Sequence, residues 1–190
     1  MGIKNIIVNE TELNTYRVDQ IRQLVKIISA NKNIYPSRVP SKGYDKIVFC
    51  VTDNQRITDF KQFNITSEIN ERFKTKNPLF NASYYEIWDK IIDSKQNYRL
   101  SRIYFHLYSS EQDKEYILLH TDPIDTDSVH GDYKRSPHLH IKETKDSTIA
   151  HAHLALNIND YNVALSSLEE LNNCFRNHIE MLSHQILQIR

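Results

Sequence analysis

The sequence predicts an α+β fold in which an antiparallel β-meander of about four to five strands packs against a long C-terminal helix and an N-terminal helix. Two observations predict this class. Apolar residues recur at steps of three and four near both ends of the chain, whereas the middle of the chain alternates apolar with polar residues. A chain of 190 residues is long enough to bury one proper core, so we expect residues 1–190 to form a single domain.

The first element is predicted to be an amphipathic helix over about residues 12–31, begun by Thr11 or Asn14. Two prolines and a glycine then predict a basic loop over residues 36–43. The run 47–51, which reads Ile-Val-Phe-Cys-Val, predicts a buried strand. The buried face of the helix would carry the apolar residues at helical spacing, namely Val18, Ile21, Leu24, Val25 and Ile28.

A further helix is predicted over residues 84–94. Ser83 and Glu86 have the spacing of a capping box, in which two side chains satisfy backbone N–H groups at the start of a helix. Apolar residues follow on one face, so the helix would bury Trp88. A shorter helix is expected from Ser67 to Phe73.

The following stretch changes to a period of two. Strands are predicted over residues 103–108 and 115–120, joined by a polar turn. Because that turn does not fix the register of the hairpin, His106 and His120 are only secondary candidates for membership of the histidine cluster.

The last element is predicted to be a helix that Asn159 caps. It would run for about 28 residues, or roughly 42 Å, and would extend past the sheet. We therefore expect its end to bind a second subunit or a protein partner. Its buried face is predicted from a further set of apolar residues: Leu168, Leu171, Phe175, Ile179, Leu182 and Ile186.

Two His-x-His pairs are the most informative feature of the chain: His138 with His140, and His151 with His153. Alternate residues of a strand share a face, so each pair presents both imidazoles on one side. A tight turn at Lys145–Asp146 would set His140 opposite His151 and His138 opposite His153. Apolar residues fill the alternate positions, so we expect the four rings to face a cleft or solvent.

One chemistry that suits these histidines needs no metal. Two imidazoles would act as general base and general acid on an RNA phosphodiester. Lys134, Arg135 or Lys142 would stabilise charge on the phosphate. Tyr133 would stack on a base, and His130 would also bind substrate.

A second chemistry is metal binding, in which His138, His140, His151 and His153 would hold a transition metal such as zinc. The long connection 121–136 could supply a carboxylate, and long ordered loops are often functional. The candidates are Asp122, Asp125, Asp127 and Asp132. A third interpretation is that the histidines are ordinary surface residues.

Composition excludes several classes. Lysine plus arginine equals aspartate plus glutamate, so no overall field attracts the chain to nucleic acid or membrane. The two cysteines, Cys50 and Cys174, do not have the spacing of a disulfide framework or zinc finger. We expect no membrane segment or signal peptide, and hence a cytoplasmic protein. The motifs of P-loop, dinucleotide-binding, serine hydrolase and zincin sites are missing from the sequence.

The stretch from Arg102 to His140, about a fifth of the chain, resembles the TumE-like toxin family of bacterial toxin–antitoxin pairs. The matching pieces are the aromatic-rich segment 104–108, an aspartate-rich loop that ends in His130, and the Pro-His-x-His segment 137–140. The resemblance implies an antiparallel meander and a role as a bacterial or phage-related toxin or defence component. Its protein partner would be an antitoxin or a defence-system subunit.

The preferred function is therefore that of a toxin or anti-phage defence component that cleaves RNA with its histidine cluster and needs no cofactor. Two alternatives stay open. The chain could be a non-enzymatic subunit that binds a partner through its C-terminal helix in an oligomeric complex, or a hydrolase that depends on a divalent metal such as zinc.

Overall fold

The computed structural model describes residues 5–40, 45–51, 53, 72–92, 94, 96–111, 115–124, 135–141, 152–155 and 163–189. Nine strands lie within these residues: β1 (Ile7–Asn9), β2 (Pro36–Pro40), β3 (Lys46–Val51), β4 (Phe73–Lys74), β5 (Phe80–Lys90), β6 (Asn97–Ser109), β7 (Glu115–Thr121), β8 (His138–Ile141) and β9 (Ala152–Ala155).

The strands form a single sheet in which every pair is antiparallel. The order along the sheet is β2-β3-β5-β6-β7-β8-β9, while β1 pairs with β6 and β4 pairs with β5. With a helix near each end of the chain, this arrangement confirms the α+β class and its antiparallel sheet. The predicted number of four to five strands is wrong, since nine are described.

The N-terminal helix consists of α1 (Glu10–Glu12), a π-helical turn (Leu13–Arg17) and α2 (Val18–Lys26). It begins two residues earlier than predicted and ends five residues earlier. Asn9, rather than Thr11 or Asn14, caps it: the Asn9 side chain accepts a hydrogen bond from the backbone N–H of Glu12 at 2.9 Å, and the Glu12 carboxylate accepts one from the Asn9 backbone at 3.0 Å.

The C-terminal helix, α3 (Leu168–Gln185), is shorter than predicted. Ser167 caps it by accepting a hydrogen bond from the backbone N–H of Glu170, and the predicted cap Asn159 lies outside the described residues. Its 18 residues span about 27 Å, which is shorter than the roughly 42 Å predicted. The prediction that the helix extends past the sheet rested on that greater length. Neither helix among the described residues combines the length and apolar content needed to cross a membrane.

The predicted helix over residues 84–94 is wrong, because this stretch forms most of the long strand β5. Aromatic and β-branched residues such as Tyr84, Tyr85 and Ile87 favour strands. Residues on both faces of β5 are buried, so the period of two that normally reveals a strand is hidden. Trp88 is fully buried as expected, although in a sheet.

Other local predictions had mixed outcomes. The buried strand over residues 47–51 and the two strands of the meander are confirmed. The predicted loop over residues 36–43 is wrong in its first half, where β2 forms an edge of the sheet that tolerates proline. The predicted helix from Ser67 to Phe73 falls mostly outside the described residues, but Phe73 itself lies in β4.

Both helices cover the same face of the sheet and enclose the hydrophobic core with it. Burial of these side chains is the main force that holds the layers together. The core includes residues of the helices and of the central strands: Leu13, Ile21, Leu24, Phe175, Ile179, Phe49, Phe105 and Leu119.

A buried ion pair lies within this core. Arg17, at the end of the π-helical turn, donates from Nη2 to Glu86 Oε1 at 2.6 Å, and neither side chain is exposed. Trp88 Nε1 donates to the other oxygen of Glu86 at 2.9 Å, and the Tyr84 hydroxyl also bonds to this carboxylate. Burial by itself lowers the pKa of Arg17, but Glu86 and Tyr84 together outweigh this effect and hold the pKa above its ordinary value.

Candidate metal centre

Histidines lie on the sheet face opposite the helices. On β6 the residues of this face include Tyr104, which is the register partner of His120 on β7. His120 is in turn the partner of His138 on β8. Directly opposed residues of adjacent strands share a face, so these three side chains form one row across the sheet. His140 lies two residues beyond His138 and therefore on the same face.

His120, His138 and His140 form a compact group that we call the three-histidine cluster. The ring centroids lie 4.0 Å apart for His120 and His138, 4.4 Å for His120 and His140, and 4.9 Å for His138 and His140. The exposed fractions are 4%, 0% and 8% in chain order. The expectation that the rings of His138 and His140 could face solvent is therefore wrong.

Hydrogen bonds at Nδ1 fix the orientation of two rings. His138 Nδ1 lies 2.8 Å from the carbonyl oxygen of Ser136, and His120 Nδ1 lies 3.0 Å from Oδ2 of Asp122. Both partners are acceptors, which assigns the Nδ1 proton to each ring and leaves the lone pair of a neutral imidazole at Nε2. His120 Nε2 lies only 2.5 Å from His140 Nε2, so these nitrogens converge on one point.

Asp122 is itself held by two neighbours. Its Oδ2 accepts a hydrogen bond from the Tyr104 hydroxyl at 3.1 Å, and its Oδ1 lies 3.4 Å from Nε of Arg102. Burial by itself lowers the pKa of Arg102, but Tyr104 and Asp122 raise it, and the net shift is upward. The guanidinium therefore stays charged, and Asp122 serves as an anchored carboxylate that orients His120.

The cluster has the geometry and donor set of a metal site. Among the described residues, one ligand atom from each of the three histidines lies within 4.8 Å of the others. At a zinc–nitrogen bond length of about 2.0–2.1 Å, tetrahedral ligand atoms lie about 3.4 Å apart. That value falls between the closest contact of 2.5 Å and the outer limit of 4.8 Å. A carboxylate or carbonyl at the second ring nitrogen is also the usual partner of a metal-bound histidine.

The predicted pairing of the two His-x-His segments is wrong in its register. His140 is opposite His153, and His138 is opposite Ala155, so the pairing differs by two residues from that predicted for a turn at Lys145–Asp146. Lys-Asp is not one of the residue pairs that specify a tight hairpin turn, so the local sequence did not determine the register. A shift of two residues keeps each position on its face, whereas a shift of one would reverse it.

Of the predicted site residues, the structure brings His138 and His140 together. The backbone of His153 lies in β9, but its side chain is not among the parts described. Arg135 is described, and its carbonyl accepts a hydrogen bond from the Thr121 hydroxyl at 2.6 Å. Of the aspartates proposed as ligands, Asp122 lies at the cluster. The remaining predicted residues fall outside the described ranges: His151, Lys134, Tyr133, His130, Lys142, Asp125, Asp127 and Asp132.

Sequence reasoning named His120 only as a secondary member of the cluster, whereas it is one of the three histidines that the structure brings together. One local signal was present, because His120 and Asp122 stand two residues apart at the end of a predicted strand. That spacing allows a carboxylate to reach the ring of the histidine, as it does here.

No known protein family, curated protein or solved structure gives a significant match to this chain. The resemblance to TumE-like toxins therefore stays a prediction, and function must be argued from the site itself.

Proposed function

We propose that this protein is a metal-dependent hydrolase whose three-histidine cluster binds a transition-metal ion, with zinc as the first candidate. The observation that carries the proposal is the convergence of the imidazoles. His120 and His138 are both anchored through Nδ1, and the Nε2 atom of His120 meets that of His140. Neutral imidazole nitrogens that point at one another in a buried site are well suited to share a cation.

The same geometry disfavours a metal-independent mechanism in which His120 and His140 act as the acid–base pair. A general acid and a general base must each lie about 2.6–3.2 Å from the atom with which they exchange a proton. Two nitrogens that act on opposite sides of a scissile bond are therefore roughly 5 Å or more apart. The closest nitrogens of His120 and His140 are 2.5 Å apart, which leaves no space for a substrate atom between them.

The ligand set favours catalysis over a purely structural role. Structural zinc sites are usually built from cysteine or from mixed cysteine and histidine ligands, whereas sets of three histidines occur in catalytic sites. Three ligands are found among the described residues, and all are imidazoles without charge of their own. An ion held by neutral ligands keeps its full positive charge, and so it lowers the pKa of a bound water strongly.

Phosphodiesters are among the substrates that such an ion activates, and the RNA cleavage predicted from the sequence remains our proposal for the substrate class. The role as a toxin or defence component stays a prediction.

Metal content tests the proposal directly. Protein purified without chelator is expected to contain about one equivalent of zinc, iron or manganese per chain, because catalytic sites of this type bind one ion per three-histidine set. His138→Ala and His140→Ala should each lose the metal. His184→Ala is the matched control, since His184 lies exposed on α3, away from the cluster. Elemental analysis gives the metal content, and circular dichroism shows whether each variant is folded. A folded wild-type protein that binds no metal even after reconstitution would disprove the proposal.

Sensitivity to a chelator is the second test. The metal-loaded protein is expected to cleave a mixture of RNA and DNA oligonucleotides, to lose at least about 100-fold of its rate after metal removal, and to regain it on addition of zinc, because the ion supplies the activated water. Gel analysis of the products reveals which nucleic acid is cut. Cleavage that persists unchanged in the metal-free protein would instead favour the metal-independent acid–base mechanism.

A further inference from the structure

A second histidine–carboxylate pair lies on the same face of the sheet as the three-histidine cluster. His106 Nδ1 on β6 lies 2.7 Å from Oε2 of Glu115 on β7, and their side chains are only 8% and 5% exposed. The other ring nitrogen, His106 Nε2, is also buried and has no hydrogen-bond partner among the described residues. Buried polar atoms are rarely left in this state, and the exceptions call for an explanation.

Aromatic rings hold the imidazole of His106 in place. Tyr85 and Tyr108 stack on it nearly in parallel, with centroids 6.2 Å and 5.6 Å away and interplanar angles of 16° and 13°. The guanidinium of Arg72 lies 3.7 Å from the ring centroid of Tyr108. Burial raises the pKa of Tyr85 above its ordinary value, so that phenol keeps its proton. The stack thus fixes the plane of an imidazole whose Nδ1 is already engaged.

His106 is also close to the three-histidine cluster. The rings of His106 and His120 both pack against Tyr104, at centroid distances of 5.5 Å and 4.8 Å. In the sheet, His106 is opposite Leu118, and Leu118 is opposite His140. His106 and His140 therefore occupy one cross-strand row, two strands or about 10 Å apart at the backbone. The side chain of Leu118 lies between them in this row, so a substrate that contacts both histidines would lie over Leu118.

We propose that His106 is the general acid of this site and that Glu115 is its positioning residue. This inference rests on the metal-dependent function proposed above. A metal centre supplies an activated water, but it does not by itself protonate a poor leaving group on the far side of the scissile bond. The Glu115 carboxylate compensates the charge of the His106 ring when both nitrogens carry protons, which leaves the Nε2–H group available as a donor.

Hydrolysis of a phosphodiester would involve proton release from the attacking water and proton donation by His106. The water oxygen forms a bond to phosphorus and releases its proton to solvent. The bond between phosphorus and the leaving oxygen breaks, and its electron pair stays on that oxygen. His106 Nε2 transfers its proton to the same oxygen, and the neutral ring then takes up a proton from solvent. The net reaction consumes one water and gives a monoester and an alcohol.

The dependence on the leaving group tests this role. The two probes are methyl p-nitrophenyl phosphate, whose leaving group departs without protonation, and methyl phenyl phosphate, whose leaving group is much poorer. With zinc-loaded protein, His106→Gln is expected to lower kcat for the phenyl ester about 10²–10⁴-fold, the usual contribution of a general acid. For the p-nitrophenyl ester the loss should stay below about 10-fold. Glu115→Gln should show the same selectivity with a smaller loss, and His184→Gln should change neither rate.

Metal content separates this inference from the proposed function. Every variant is analysed for zinc and for folding before the rates are compared, and Glu115→Gln carries the test if His106→Gln does not fold. An equal loss on both esters, no loss on either, or loss of zinc from His106→Gln would overturn the role of His106 as general acid. So would a zinc-loaded wild-type protein that hydrolyses neither ester. Absence of metal from the wild-type protein would instead overturn the proposed function.

Discussion

Glu86→Gln is expected to lower the free energy of unfolding by about 3–5 kcal/mol, because it leaves the Arg17 guanidinium buried without a compensating charge. Arg17 donates to the Glu86 carboxylate through Nε and Nη2, and both side chains are completely buried between the N-terminal helix and β5. The glutamine would also give Trp88 and Tyr84 a different partner. Urea unfolding measures the effect as a lower midpoint at an unchanged slope.

The exposed ion pair between Arg38 and Glu10 provides the matched control. It has a similar length of 2.8 Å, but its side chains are 43% and 38% exposed. Glu10→Gln should therefore change stability by less than about 1 kcal/mol. The double variant Arg17→Met with Glu86→Leu should be more stable than Glu86→Gln alone, because it removes both buried charges. Equal effects of Glu86→Gln and Glu10→Gln would show that burial of the pair has no energetic consequence.

This buried pair also shows why β5 was predicted as a helix. Ser83 and Glu86 fit the spacing of a capping box, yet the carboxylate of Glu86 is committed to Arg17, a partner 69 residues away. Local spacing alone could not reveal that contact. Ile92, which the predicted helix would have placed on its apolar face, is 99% exposed beyond the end of the strand. By contrast, the centre of β6 was predicted as a strand because Ile103, Phe105 and Leu107 alternate with residues of a more polar face.

The site was predictable only in part, for a related reason. The alternation of His138 and His140 placed them on one face, and this required no knowledge of distant pairing. Adding His120 required the register of β7 against β8, which depends on contacts between segments almost 20 residues apart. The burial of the rings depends on the whole assembled sheet. The alternation of side chains between the two faces of a strand is thus encoded locally. Which strands pair, and how deeply the histidines are buried, is not.

Asp122→Asn is expected to weaken zinc binding about 10–100-fold, the usual effect of removing a partner that orients a metal-bound histidine. The carboxylate of Asp122 accepts from His120 Nδ1 at 3.0 Å and thereby directs Nε2 toward the cluster. An asparagine has nearly the same shape, but it lacks the negative charge that makes the imidazole a better donor to the ion. Its amide can also turn its NH₂ group toward the ring, which would favour the wrong tautomer of His120.

Competition with a zinc-binding indicator of known affinity gives the dissociation constant of each protein. Asp122→Asn should still bind one equivalent at saturating zinc, because His120, His138 and His140 all remain. Asp45→Asn is the control, since the Asp45 side chain is 79% exposed and its carboxylate lies 3.5 Å from Nζ of Lys90 at the surface. If the two substitutions weaken zinc binding equally, or if Asp122→Asn leaves it within about twofold of wild type, Asp122 does not tune the metal through His120. A selective loss would instead show that the Asp122–His120 hydrogen bond is part of the metal centre.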